Sequence, residues 1–508
     1  MKDKRKSKML SIGAAIYVLI TLLPLAGALL QYQGQLYISF GVRQVFLLGN
    51  SIKLAALVVM LDLFIGFFCA LFLFSLGKRQ IWHKYYLVAM MPIPYYVYAL
   101  SWMYIIRVLS LVWPGLVRFS IKGIGACVFV ETLAFLPVTT LFILTGIENI
   151  HEDILRMAAV YGSGNRTAFR IILPSAWPYG LSAAGLIVIM SMTEFSVPSM
   201  FQYNTYALDI FSVYSRTGSA LTAYIQCIPL LLVLIIPMIW VFKGLRGFSI
   251  KRTCRQSYRL RLSGPVKGLS IAAFLLSIIQ ILFPMIAFLF TAGGCRKLAE
   301  SWIMIVDELG NSLSTALVSG LICLALAMLP AAFLRHNTQK TPYIILYAMV
   351  IPGAIQAMGL LKIANWLGLV FVEKTILLAS IGCALRATPF AIIILLIVKL
   401  RTDYKPIEMA EIYAVDPLDA VKIKARSFLP AYIVCFGTAF FLTFAEESIP
   451  LILMAPGKET ITVKIYNYLH YGASEYVSAF SILVIIFVFG VEGAVVLLNR
   501  AIRGIKKK

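Results

Sequence analysis

The sequence predicts an all-α polytopic membrane protein with about twelve transmembrane helices. Three observations carry that expectation: 61% of the 508 residues are hydrophobic, only 13% are charged, and apolar runs of spanning length recur from end to end. A spanning helix needs roughly 20 mostly apolar residues, and the mean hydropathy of +0.89 is far from that of a soluble chain.

Taken in order, the spans fall at 9–31, 52–76, 85–107, 124–145, 178–200 and 220–242, then at 268–292, 312–334, 342–362, 376–399, 430–454 and 477–499. The first imitates a cleavable signal peptide, with a basic start and Ala26-Gly27-Ala28 after the apolar run. Its apolar run is longer than a usual signal core, so it is read as an uncleaved helix. Proline and glycine interrupt many of the others, which a helix bundle tolerates because neighbouring helices satisfy the freed backbone groups.

The net charge of +23 would point to nucleic acid in a soluble protein, but its distribution points elsewhere. Basic residues gather in alternate loops: Lys2 to Lys8, Lys78 to Lys84, Lys243 to Lys267, Arg335 to Lys340, and Arg500 to Lys508. With twelve spans these all face one side, and the positive-inside rule makes that side the cytoplasm, with both termini there. A multi-pass protein of a bacterial inner membrane is expected, surrounded by lipid and binding no nucleic acid. Residues 243–267 form a basic cytoplasmic linker, read as a topology anchor.

Eight cysteines show neither metal spacing nor a disulfide framework. The four histidines, His83, His151, His336 and His470, fall in separate loops. No Ser/His/Asp or Cys/His set has usable spacing, so no catalysis, cofactor or resident metal is expected.

The chain also repeats itself. Glu194 and Glu446 are 252 positions apart, and the same offset relates Met157 to Met409, Tyr161 to Tyr413 and Pro137 to Pro389. MPIPYYVYAL near 90–100 faces MVIPGAIQAM in the second half, and Asn50-Ser51 matches Asn311-Ser312. Two copies of a six-span unit are predicted, 1–242 and 268–508, related by a pseudo-two-fold axis along the membrane normal.

Between the fourth and fifth spans of each copy lies a long cytoplasmic loop, 150–174 and 402–430. The first reads LRMAAVYGSGNRTAFRIILP and the second IEMAEIYAVDPLDAVKIKARSFLP. In the first, a short helix from Leu155 to Tyr161 is broken by Gly162-Ser163-Gly164, and a second short helix from Thr167 stops at Leu173-Pro174. Small residues such as Ala158, Ala159 and Ala410 allow close approach of a partner, and Leu155 and Tyr161 offer apolar anchors.

These loops resemble the EAA motif of type I ABC importer permeases, roughly Glu-Ala-Ala, three residues, Gly, and later Ile-x-Leu-Pro. The first loop matches through Ala158, Gly162, Phe169, Ile171, Leu173 and Pro174, with Arg156 where the acid belongs. The second keeps that acid as Glu408, followed by Met409-Ala410, but has Ala414 at the glycine position. The resemblance covers nearly the whole chain as two tandem six-helix permease domains, as in the ferric-iron group and some thiamine and aminophosphonate systems. It implies that Leu155, Arg156, Ala158, Ala159, Tyr161 and Gly162, with Glu408, Met409, Ala410, Tyr413 and Ala414, form coupling helices seated in two cytoplasmic ABC ATPase subunits. An extracytoplasmic substrate-binding protein would deliver cargo from outside. The segment from Pro456 to Gly472 resembles an outer loop of the ferric-iron group. No G-x-x-x-x-G-K-[ST] phosphate loop occurs in the sequence, so ATP hydrolysis by that route belongs to another chain.

TEFSVP and AEESIP place glutamates within apolar segments. A carboxylate there faces water, a partner or the bundle interior, and Pro198 and Pro450 are expected to interrupt each helix just beyond it. Glu194, Ser196, Glu446, Glu447 and Ser448 are the expected substrate path, suited to a small cation such as ferric iron, which prefers oxygen ligands. Asp62, Glu131 and Lys362 are read as structural or snorkelling residues. The competing expectation is an ion-coupled secondary transporter, which also commonly has twelve spans in two parallel halves.

Overall fold

In the computed structural model, every regular element among the described residues is helical. Those residues are 2–30, 41–112, 122–161, 164–246, 260–334, 347–402, 409, 417–471 and 474–505. The first half carries α1 (Lys2–Leu30), α2 (Val42–Ser75), α3 (Gln80–Met90), α4 (Tyr95–Val112), α5 (Ile124–Glu148), α6 (Glu152–Tyr161), α7 (Leu173–Thr193), α8 (Ser196–Met200), α9 (Tyr206–Thr217) and α10 (Ala220–Arg246). The second carries α11 (Gly264–Thr291), α12 (Cys295–Leu334), α13 (Gly353–Trp366), α14 (Leu377–Arg401), α15 (Pro417–Ala445), α16 (Ser448–Leu453), α17 (Ile461–His470) and α18 (Ser474–Ile505). Among the described residues ten helical segments are long and apolar enough to cross a membrane. The protein is an all-α, membrane-embedded chain.

Besides the spans at 178–200 and 430–454, which break at their glutamates, two further expected spans are not continuous helices. The span at 85–107 is broken between Met90 and Tyr95, and in the span at 342–362 a turn at Tyr347–Met349 precedes Pro352 and the start of α13. The residue before a proline is driven out of the α region, which stops the helix at Ile93-Pro94 and at Ile351-Pro352. Each break leaves main-chain carbonyls without helical donors, and a side chain eight residues on reaches back to one of them. Tyr98 Oη donates to the Met90 carbonyl at 3.0 Å, and Gln356 Nε2 donates to the Ala348 carbonyl at 3.0 Å. Both residues of the second bond lie 258 positions after those of the first, so the bond recurs although its chemistry changes. A second bond recurs with its chemistry kept: the Asn50 amide donates to the Asn204 carbonyl at 3.1 Å, and the Asn311 amide donates to the Glu459 carbonyl at 3.4 Å.

The chain forms two compact units, each discontinuous in sequence. One gathers Met1–Ile38, Val213–Arg252 and Asn311–Glu459; the other gathers Ser39–Ser212, Thr253–Gly310 and Thr460–Lys508. In the first, α1 packs along α13, α14 along α15, and the short α16 against α13 and α14. The α1–α13 crossing is glycine on glycine: a Cβ on Gly27 would strike the Gly359 carbonyl, and one on Gly359 would strike the backbone of Pro24. Ala26-Gly27-Ala28 therefore lies at a helix crossing. Ala357, Leu360, Cys383, Ile449 and Leu453 form the core beside it.

In the second unit α2 packs along α5 and α7, and α11 lies against α2, α4 and α18. Its core includes Phe67, Phe74, Leu144, Ile147, Ala168 and Phe274, and it extends to Leu155 and Leu260. The end of the linker is stapled to the loop at 150–174. Asn165 Nδ2 donates to the Ser263 carbonyl at 2.9 Å, and Ser263 N donates to Asn165 Oδ1 at 3.1 Å. A Cβ on Gly164 would collide with the Arg261 carbonyl. Gly164→Val is thus expected to cost about 1–3 kcal/mol through overpacking, read as a lower midpoint in thermal unfolding of the purified protein. An unchanged midpoint would mean that the linker does not lie on this loop.

Candidate functional site

Two places gather the residues singled out by sequence: the first long loop, 150–174, and the paired helix breaks at the glutamates. In the loop, α6 starts after His151, whose carbonyl accepts hydrogen bonds from the Ile154 and Leu155 amides. Glu152 and Asp153 occupy its first turn, where negative charge complements the unpaired N–H groups. Arg156 pairs with Glu152 one turn back at 2.7 Å, so its charge is engaged within its own helix.

Leu155, expected as an outward anchor, is instead 0% exposed and packs in the core with Ile147, Ile150 and Ala168. The helical period gives the reason: with Leu155 turned inward, residues one turn apart on the other side, Ile154 and Met157, are left outside. They and Val160 are 50%, 63% and 80% exposed. Ala158 is partly exposed. Tyr161 ends α6, and the side chains of Ala159 and Tyr161, like Gly162, lie outside the described residues. So do Glu408, Ala410, Tyr413 and Ala414 of the second loop, where Met409 is 59% exposed.

The second short helix of the first loop does not stop at Leu173-Pro174. Gly164–Thr167 passes through a π turn, Ala168–Ile172, directly into α7. Pro174 has no N–H to give to the Arg170 carbonyl, and the wider turn spreads the backbone at that point.

The two glutamate segments have one local design. α7 ends at Thr193 and α8 begins at Ser196; α15 ends at Ala445 and α16 begins at Ser448. The break falls at the acid itself rather than at the proline. Pro198 and Pro450 are the third residues of the short helices that follow, where a missing N–H has no intrahelical acceptor to lose. Glu194 Oε1 accepts from Ser196 N at 2.8 Å and also from Ser196 Oγ. Glu446 Oε1 accepts from Ser448 N at 3.1 Å. Each carboxylate therefore caps the short helix beyond its own break. Glu447 is buried and directly precedes Ser448 at the start of α16.

The surroundings of the two acids differ. In the unit that holds Glu446, Arg386 Nε lies 2.9 Å from its Oε2, and Arg386 reaches it across Gly353, where a Cβ would meet the guanidinium at 2.5 Å. The unit that holds Glu194 also holds a second acid, Glu131 on α5, which is 1% exposed. Ser191 Oγ donates to Glu131 Oε2 at 2.5 Å, while Glu131 Oε1 has no hydrogen-bond partner among the described residues.

The sequence reading takes Glu131 as structural and does not single out Arg386. Each is a charge inside a long apolar helix, which was the available signal. Asp62, on α2, is also fully buried, and neither of its oxygens has a hydrogen-bond partner among the described residues. One turn along, Gly66 lets α5 approach so closely that a Cβ there would meet Thr139 Cγ2 at 2.6 Å. His470 Nδ1 lies 2.9 Å from the Tyr466 carbonyl of its own helix. Among the described residues no group of three or more His, Cys, Asp or Glu could hold a metal ion.

No family model matches the chain, and no curated protein or solved structure matches it.

Proposed function

We propose that the chain is the permease of a binding-protein-dependent ABC importer in a bacterial inner membrane, with its termini in the cytoplasm. It carries a small cation such as ferric iron, and its energy comes from separate cytoplasmic ATPase subunits. The observation that carries the reading is the exposed apolar side of α6, with Ile154, Met157 and Val160 outside and Leu155 rooted in the core. A short helix held that way passes a push from a bound partner directly into the buried packing of α2 and α5. The hydrogen bonds that recur at Tyr98 and Gln356, and at Asn50 and Asn311, support a chain of two related six-helix halves. The second loop, around Met409, then serves the second ATPase copy.

In this reading the chain itself is not an enzyme. Cargo from an extracytoplasmic binding protein enters on the outer side and passes the helix breaks, where carboxylates, serine hydroxyls and the uncapped ends of α7 and α15 provide oxygen. Glu194, Ser196, Glu446, Glu447 and Ser448 are the residues assigned to that passage.

A second reading, an ion-coupled transporter, is favoured by Asp62, a buried acid suited to carrying a proton. Energetics separate the two. Uptake into cells should stop when ATP is depleted and persist when an uncoupler collapses the proton gradient in cells with ATP maintained. Uptake that instead survives ATP depletion and collapses with the uncoupler would replace the importer reading by the second.

A further inference from the structure

The segment 243–267 joins the two halves of the sequence, and its last residues do more than connect them. Leu260 is 3% exposed and shares a core with Ile150, Leu155 and Ala168 of the loop at 150–174, while Leu262 and Val266 pack against the same cluster. Between these apolar residues the chain is held by a two-way bond. Asn165 Nδ2 donates to the Ser263 carbonyl at 2.9 Å, and Ser263 N donates to Asn165 Oδ1 at 3.1 Å. A primary amide offers one group of each kind, so a single side chain meets both backbone groups of its partner. Gly164 brings the two segments together, because a Cβ there would lie 1.9 Å from the Arg261 carbonyl oxygen.

A helix begins directly after Ser263. Gly264 takes φ +53°, a conformation that glycine adopts without strain, and Pro265 lies in the first turn of α11 with its φ fixed. The tie is therefore continuous with the helix. α11 is the first span of the second half, yet it packs on α2 and α4 of the first. On its other side the loop runs through the π turn into α7 without a break. A displacement of the loop thus has two stiff outlets, α7 in the first half and α11 in the second. A linker that only joined the halves would need no amide pair, no bare glycine and no share in the loop's core.

We propose that Asn165 is a positioning residue that ties the loop at 150–174 to the start of α11, so that the two move as one body. The tie itself stands apart from the permease reading. On that reading, one ATPase docked on α6 drives the first span of the second half as well as α7.

Hydrogen–deuterium exchange on the purified full-length chain, without any ATPase, tests the tie. In Asn165→Ala the Ser263 amide loses its acceptor, and exchange across residues 260–266 should quicken roughly tenfold, about what the loss of one hydrogen bond allows. Ser263→Ala is the control. Only backbone atoms of Ser263 enter the tie and its side chain makes no capping bond to α11, so exchange should stay within about twofold of the wild type. The second readout is uptake per ATP hydrolysed in proteoliposomes that also hold the ATPase subunits. Asn165→Ala should keep those subunits and their hydrolysis rate, because Asn165 lies outside α6, while uptake per ATP falls roughly fivefold, a size expected for a residue on a coupling path. A purely structural contact would lower the thermal midpoint and leave that ratio unchanged. Unchanged exchange in Asn165→Ala would overturn the tie, and quicker exchange with an unaltered ratio would overturn its role in coupling. Should no ATPase bind the wild type, the importer reading falls while the exchange result still decides the tie; an ATPase bound to a chain whose exchange ignores Asn165→Ala removes the tie alone.

Discussion

Gly359→Leu is expected to yield almost no folded protein. A Cβ at Gly359 meets three backbone atoms of Pro24, and one at Gly27 meets the carbonyl and a side-chain atom on the facing helix. Backbone has no rotamer to turn away, so α1 and α13 must separate along their crossing. In a membrane that crossing is held by close packing of small residues. Gly359→Ala should already cost about 1–3 kcal/mol, and leucine, with three more carbons, should remove α1 from the unit. The readout is the monodisperse fraction after extraction and size-exclusion chromatography. Gly437→Ala is the control: it lies inside α15 with nothing within 4 Å of the added carbon, and the helix gains roughly 0.5–1 kcal/mol from losing a glycine. Normal recovery of Gly359→Leu would mean that α1 does not pack there.

The second large effect is expected on α6, the helix proposed to dock on an ATPase. Met157→Asp combined with Val160→Asp should leave membrane insertion and thermal stability unchanged, because both side chains are exposed. The same double variant should lose its ATPase subunits during purification and lose uptake. Two apolar anchors at about 2 kcal/mol each weaken docking roughly a thousandfold. Leu155→Asp should behave differently and fail to fold, since it places a charge in the core shared with Ile147 and Ala168. If Met157→Asp with Val160→Asp keeps its ATPase, the exposed side of α6 is not the docking face.

Much of the fold was legible because hydropathy over a 20-residue window is a coarse and robust signal. It located all ten helical segments of spanning character. What it missed depended on single residues. Windowed hydropathy runs across Ile93-Pro94 and Ile351-Pro352 without registering the break, so two segments with a Tyr98 or Gln356 bridge were taken as plain spans. The prolines after the glutamates were read as breakers, whereas the carboxylates end one helix and cap the next. Leu155 reads as outward because an apolar residue in a loop between spans looks exposed. Only the packing of that loop on α2, α5 and the linker shows which side of α6 is inside.

The site was less legible than the fold. Glu194 and Glu446 stand out in apolar sequence, but their difference lies in neighbours that approach from other helices. Comparing the repeats position by position would have found it, since Glu131 facing Cys383 and Ala134 facing Arg386 break an otherwise similar pattern.

The most direct measurement of the central claim is a cross-link from α6. With Met157→Cys in native membranes, a short bifunctional reagent should join position 157 to a nucleotide-hydrolysing subunit, and the yield should change when ATP is added. Sustained uptake with no adduct at position 157 or at Met409→Cys, under conditions where a control cysteine in the ATPase reacts fully, would contradict it.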